Sequence, residues 1–312
     1  MGSRARPLAL LAVAAATSWA GAARAQEQLG HKLLGTLGLD AGVEPPPGLT
    51  LIDQVVLFGA EEIADRHGDP VPISGLDLDA FGNVVGISGT VRIPGFAMWT
   101  GAVAFPYARL SLNIDDPRAS LDRYGFGDVY VLPLKLGWRP GRFDVVASYS
   151  FYAPTGHFEP RGSTGIGRGF WTHELAAGGT AWLDQARTLR LSALGSYDLS
   201  GKKRGIDITR GSTAQIQGGA GVRLVRVLDV GVAGYALWQV TDDRGSDLPA
   251  AVRGASERAL GAGPEVDLAI PQIRARLGAR YEQDLYARSR PRARIFVFSL
   301  SFTAWKPSQR GP

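Results

Sequence analysis

Cysteine is absent from all 312 residues. That excludes disulfides, thiolate metal sites and anchoring through a lipid-modified cysteine. Histidine is scarce, occurring only as His31, His67, His157 and His173. Beyond the first 25 residues no apolar run approaches the roughly 20 residues that a helical span needs. Any membrane assignment therefore has to rest on strands. Charge of one sign is scarce as well: Lys+Arg number 34 and Asp+Glu 29, a formal net charge of +5. Arg4, Arg6 and Arg24 supply three of those charges within a stretch that holds no acid, and removing them leaves +2. So small an excess gives no footing for a nucleic-acid partner.

What the chain does have is glycine, 41 residues of it, and alternation. The clearest case is 125–156, GFGDVYVLPLKLGWRPGRFDVVASYSFYAPTG. It reads as two strands joined by the turn Arg139-Pro140-Gly141-Arg142. In the first, Phe126, Tyr130, Leu132, Leu134, Leu136 and Trp138 alternate with Gly127, Val129, Val131, Pro133, Lys135 and Gly137. In the second, Phe143, Val145, Ala147, Tyr149 and Phe151 alternate with Arg142, Asp144, Val146, Ser148, Ser150 and Tyr152. Period two marks strands between two different surroundings. Aromatic residues bracketing an aliphatic middle, opposite a small and polar face, mark lipid on one side and a polar lumen on the other.

Residues 1–25 read as a secretory leader: a basic start, an apolar run and the small-residue site Ala23-Arg24-Ala25. Residues 26–49, ending in Glu44-Pro45-Pro46-Pro47-Gly48, read as a periplasmic lead-in or a small plug entering a barrel, or equally as a disordered terminus. A barrel is expected over 50–302, followed by a tail at 303–312. Outside the central hairpin, strands are predicted at 50–60, 76–90, 96–110, 170–183, 187–199, 212–224, 227–240, 260–270, 272–283 and 292–302. Connections after the odd-numbered strands are long and polar, including 111–123, 154–169 and 241–259, and those after the even-numbered ones are short. The expected fold is all-β: a transmembrane antiparallel up-and-down β-barrel of about 12 strands, with short periplasmic turns and long extracellular loops. A soluble β-sandwich also alternates, but it has no reason to sort its loops by length or to put rings at strand ends.

With the apolar faces toward lipid, the lumen side is expected to carry Lys135, Arg142, Arg190, Arg223, Arg274, Arg276 and Arg280 against Asp144, Glu174, Asp198, Asp229, Glu265, Asp267 and Glu282. Seven oppose seven, a wall of mixed sign rather than an ion-selective ring. It serves either as a pore lined by transverse charges or as a salt-bridged, filled interior. Catalytic residues are not assigned. His173 and Glu174 are adjacent on a strand and point to opposite faces, and no nucleophile and base are placed together. Gly165-Ile166-Gly167-Arg168-Gly169 has the wrong spacing for a phosphate loop. Asp242, Asp243 and Asp247 miss the calcium-loop pattern and read as a solvated acidic loop. No cofactor or metal is expected.

The segments GFGDVYVLPLKLGW, FYAPTG, GRGFWTHEL, GKKRGIDI, WQVTDDRGSDLPA and GAGPEV resemble the outer-membrane "meta-pathway of phenol degradation" family, with its MetA-type and SphA-type transporter-like barrels. The resemblance runs from about Pro45 to Phe302. It implies a barrel in a Gram-negative outer membrane that takes up small hydrophobic or aromatic compounds, as the long-chain fatty-acid transporter barrels do. The alternative is a structural or adhesion-type barrel with a closed lumen. Expected partners are outer-membrane lipid and lipopolysaccharide, the barrel-assembly machinery and a small hydrophobic or aromatic substrate. The family carries over no catalytic residues.

Overall fold

The computed structural model describes residues 30–31, 34–116, 118–160, 164–249 and 253–307. Among them the chain forms β1 (Gly48–Ala60), β2 (Ile63–Ala64), β3 (Asp77–Ile93), β4 (Ala97–Ile114) and β5 (Ala119–Phe126). It continues as β6 (Val129–Trp138), β7 (Phe143–Ala153), β8 (Thr172–Trp182), β9 (Leu189–Ser200) and β10 (Thr213–Val225). The last five are β11 (Leu228–Gln239), β12 (Arg258–Ile270), β13 (Ala275–Arg288), β14 (Arg290–Pro291) and β15 (Arg294–Trp305). All the long strands join one antiparallel sheet that closes on itself through the β1–β15, β1–β3 and β3–β4 pairs. The short strands β5 and β6 are two halves of one stave: β5 pairs with the outer part of β4 and β6 with its inner part. The result is a closed barrel of 12 staves. The two-residue strands β2 and β14 form a separate ladder.

Side-chain placement is inverted relative to a soluble protein. Leu175, Leu191, Val232 and Phe298 are exposed on the outside, while Glu174, Arg190, Ser192, Gln215 and Gln217 are buried inside. Large apolar groups normally supply the core and charged groups the surface. Acyl chains around the barrel account for the reversal, and closure pairs the backbone groups that lipid cannot. Rings mark the two edges of the apolar band. Phe96 and Trp138 meet edge-on at 6.1 Å near the short turns. At the opposite edge lie Tyr107 with Phe126, the group Tyr149, Phe151, Trp171 and His173, and Tyr281 with Phe296.

Three expectations are corrected. First, 111–123 is not a loop. β4 runs on to Ile114 and β5 starts at Ala119, so only a tight connection remains. Eighteen residues in β4 at roughly 3.3 Å each rise about 40 Å even at a 45° tilt, well beyond an apolar band about 25 Å tall. The surplus stands above the membrane, where Leu76, Leu78, Leu112 and Ile114 form an inward apolar cluster. The connection 289–293 is short for the same reason. Second, the β6–β7 register shifts between Val131 and Leu134, next to Pro133, which has no N–H to pair. The bulge reverses the parity of the strand. Tyr130 therefore lies on the lumen side against Tyr152, ring centroids 5.0 Å apart, rather than in the outer row with Phe126 and Leu134. Third, the strand expected at 272–283 begins only at Ala275, after a 3-10 turn at Pro271–Ile273.

Candidate permeation path

Residues 34–47 lie against the inner wall of the barrel. Leu39 is fully buried. It fills a socket made by Gly219, Gly221 and Gly231, where any Cβ would stand 2.8–3.0 Å from its methyl groups. The segment has no regular structure, so side chains of the wall satisfy its backbone. Leu37 N–H donates to Gln217 Oε1 (3.1 Å), Leu39 N–H to Glu265 Oε2 (2.9 Å) and Gly42 N–H to Ser192 Oγ (2.8 Å). Gln54 Nε2 donates to the Thr36 carbonyl (3.1 Å), and Arg280 to that of Gly35. At its C-terminal end Glu44 is fully buried, accepting from Thr100 Oγ1 (2.8 Å) and facing Lys135 Nζ at 3.5 Å. Burial pushes the Glu44 carboxyl above its ordinary pKa, against the pull of Lys135.

The predicted charges divide between wall and turns. Arg190 bonds Asp229 (3.0 Å) and Asp40 of the segment (3.3 Å). Arg276 reaches Asp40 (3.0 Å), Asp229 (3.1 Å) and Asp267 (3.0 Å), and Arg223 pairs with Asp229 at 2.8 Å. Arg280 lies between Glu265 (3.2 Å) and the fully buried Glu282 (3.3 Å). Lys135 donates to the Val43 carbonyl (3.0 Å). Glu174 accepts from Ser150, and Asp198 from Thr213 and Gln215. Asp144 is buried with Arg139 at 3.8 Å. Arg142 and Arg274 are different. Both are exposed in short turns, Arg142 donating to the Leu183 carbonyl and Arg274 in the left-handed region at φ 55°. Their strands begin one residue later, at Phe143 and Ala275, so the alternation does not reach them. Glu44 and Asp40, which meet these wall residues, and His31, which meets Asp128 and Thr172, stand in a stretch without periodicity, and nothing in their spacing signals the role.

His31 forms a clasp at the other end of the segment. Its Nε2 lies 2.7 Å from Asp128 Oδ2 and its Nδ1 2.8 Å from Thr172 Oγ1. Its ring stacks on Tyr152 at 4.9 Å and meets Phe170 edge-on at 4.8 Å. Asp128 sits at the break between β5 and β6 and also accepts from Gly156 N and Arg168 N. Burial holds the His31 pKa below its ordinary value despite Asp128. The order acid–imidazole–hydroxyl matches a nucleophile relay, but Thr172 is buried and neither it nor His31 lines a described cavity. The arrangement ties His31 to the barrel wall. In the acidic loop, Asp243 accepts from Gly211 N and Gln239, and Asp247 from Asp207 N.

Two cavities flank the segment. One of about 180 Å³ lies toward the long loops, between Leu34, the walls of β1, β3 and β4, and the loop residues Ile166 and Arg168. The other, about 210 Å³, lies toward the short turns and is lined by Thr36, Gly38, Asp40, Arg276 and Ser301. The segment contributes to both linings and stands between them.

The family model described as "Putative MetA-pathway of phenol degradation" matches residues 62–300. The chain belongs to that family. Among solved structures, the COG4313 outer membrane channel from Pseudomonas putida F1 shares the phenol-degradation family member's fold at a TM-score of 0.73 and 13% identity, over 83% of this chain and 96% of that one. The translocator domain of the autotransporter NalP from Neisseria meningitidis aligns at 0.47 and 13% identity, over 84% and 91%. A Pseudomonas aeruginosa FadL homologue aligns at 0.41 and 11% identity, over 82% and 89%. No curated protein matches the chain. The fold is that of outer-membrane barrels.

Proposed function

We propose that this protein is an outer-membrane channel for uptake of small hydrophobic or aromatic compounds, with residues 34–47 as a plug that shifts to let them pass. The observation that carries this reading is the pair of cavities lined by one irregular segment, Leu34 in the first and Thr36, Gly38 and Asp40 in the second, with the segment held through hydrogen bonds and ion pairs. The family description, with its phenol degradation, and the channel whose fold it shares support it. Of the wall charges, Lys135, Arg190, Glu265, Arg276 and Arg280 hold the plug directly, and Asp229, Asp267 and Glu282 pair with them, because an isolated buried charge is costly. Its partners are outer-membrane lipid, lipopolysaccharide and the barrel-assembly machinery. It is assigned no catalytic step. The buried seat also suits a second reading, a structural barrel that never opens. Proteoliposome swelling separates the two: the channel admits benzyl alcohol or benzoate faster than a sugar of similar size, whereas a permanently closed barrel admits neither above protein-free vesicles.

A further inference from the structure

The two ends of the barrel differ in charge. Among the described residues, the five short connections and the end of β15 hold Arg139, Arg142, Arg187, Arg226, Arg274 and Lys306 and one acid, Asp184. Arg92 adds a cation one residue before β3 ends. Asp184 is engaged within its own turn, accepting from Thr188 N, Thr188 Oγ1 and Leu189 N. At the long-loop end the signs are mixed and cations meet acids: Lys202 with Asp207 at 2.6 Å, Arg292 with Glu62 at 3.0 Å, and Arg294 with Glu61. Four cations at the short-turn end form an arc. Arg226, Arg274, Lys306 and Arg92 follow one another around the rim because β11, β12, β13, β15, β1 and β3 are successive staves. The Val227 carbonyl accepts from Ala269 N at 2.7 Å and that of Arg274 from Thr303 N at 3.0 Å, which ties each turn to the next strand end. All four side chains are exposed, and none has a hydrogen bond or ion pair among the described residues. The acids of the adjoining strand ends, Asp229 and Asp267, face the lumen and are held by Arg190, Arg223 and Arg276.

Each cation of the arc stands beside an exposed apolar side chain: Arg226 by Val225, Arg274 by Ile273, Lys306 by Trp305 and Arg92 by Ile93. The acyl chains that cover those side chains give way to headgroups within a residue, so the cations stand at the level of lipid phosphate. Short turns face the periplasm, which makes this the inner leaflet. A soluble acidic partner would gain nothing from an apolar row that acyl chains already cover. Phosphatidylethanolamine carries its own ammonium, which competes with arginine for the phosphate. An anionic headgroup has no such competitor, and one basic side chain near it strengthens association about fivefold. We infer that this arc is a binding site for anionic phospholipid of the inner leaflet, with phosphate toward Arg226, Arg274, Lys306 and Arg92 and acyl chains along Val225, Ile273, Trp305 and Ile93. The site stands whether or not the channel opens, because none of the four cations lines either lumenal cavity.

Native mass spectrometry of the purified full-length protein, released from nanodiscs of equal dioleoylphosphatidylglycerol and dioleoylphosphatidylethanolamine, tests it. Lipid retained on the protein is expected to be enriched about fivefold or more in phosphatidylglycerol. Combining Arg92→Gln, Arg226→Gln, Arg274→Gln and Lys306→Gln should bring the retained ratio to within about twofold of the nanodisc's. A control at the long-loop end, Arg66→Gln with Lys202→Gln, Arg244→Gln and Arg292→Gln, removes the same charge and should keep an enrichment of about threefold or more. Heat-dependent gel migration verifies that each variant is folded. Equal retention of the two lipids by the native protein overturns the inference while leaving the barrel in its membrane. Enrichment that survives the arc substitutions overturns it as well, as does a control that loses as much as the arc variant. Benzyl alcohol flux in proteoliposomes, expected to be unchanged by the arc substitutions, keeps failure of this site distinct from failure of the channel.

Discussion

Leu39 is the point where the proposed plug is most vulnerable. Its side chain is fully buried among three glycines that offer no atoms to collapse into a void. Leu39→Ala removes both the burial of the side chain and the contacts of the socket. Such truncations cost about 2–5 kcal/mol when the site relaxes poorly. Taking about 3 kcal/mol, and a tenfold change per 1.4 kcal/mol, the ratio of released to seated plug rises roughly 150-fold. The absence of native cysteine makes this measurable with one reporter. Ser192→Cys, on the inner wall beneath Gly42, is introduced with and without Leu39→Ala and labelled by a water-soluble maleimide in proteoliposomes. The reporter's own effect is common to both. Labelling is expected to accelerate by about two orders of magnitude. Rates within twofold of each other would refute the idea that Leu39 holds the segment.

Acid should loosen the clasp. Burial keeps His31 neutral below its ordinary pKa, whereas a released His31 titrates near 6.5. Seating is therefore fully favoured above about pH 6.5 and weakens as pH falls below it, by up to about tenfold at pH 5.5; Ser192→Cys labelling reads this, and His31→Gln should flatten it. Glu44→Ala leaves Lys135 buried without its carboxylate, a loss of about 3 kcal/mol or more, so limited proteolysis should cut the 30–47 stretch in this variant and spare it in the native protein. On the outside, Leu300→Arg, midway along β15 and 41% exposed in the native chain, should lower unfolding stability in vesicles by about 2–4 kcal/mol. No change there would contradict a lipid-facing position.

The architecture was legible because each stave repeats the same two-residue rhythm against two solvents. Leu175 and Glu174, or Leu191 and Arg190, declare their sides by identity alone. The short turns were equally plain, marked by Pro94-Gly95, Pro140-Gly141 and Asp184. Where rhythm was carried past a strand end it misled, placing Arg142 and Arg274 in the lumen when both are in turns. Polarity alone also misled at 111–123, because a ribbon standing in water above the membrane is as polar as a loop. The parity change at Pro133, which turns Tyr130 inward, shows only once the pairing with β7 is known. Residues 34–47 were hardest to read. Their placement depends on long-range bonds such as Leu39 to Glu265, separated by 226 residues, and short-range periodicity carries no trace of them.

A disulfide lock tests the central claim most directly, that solute passes only when the plug moves. A Cβ built on Gly221 lies 2.9 and 3.0 Å from the two methyl carbons of Leu39, so Leu39→Cys with Gly221→Cys brings two sulfurs within bonding range. Without other cysteines only this bond can form within the chain. Benzoate flux into proteoliposomes is expected to stop in the oxidised protein and to return on reduction. Equal flux in the two states would contradict the account.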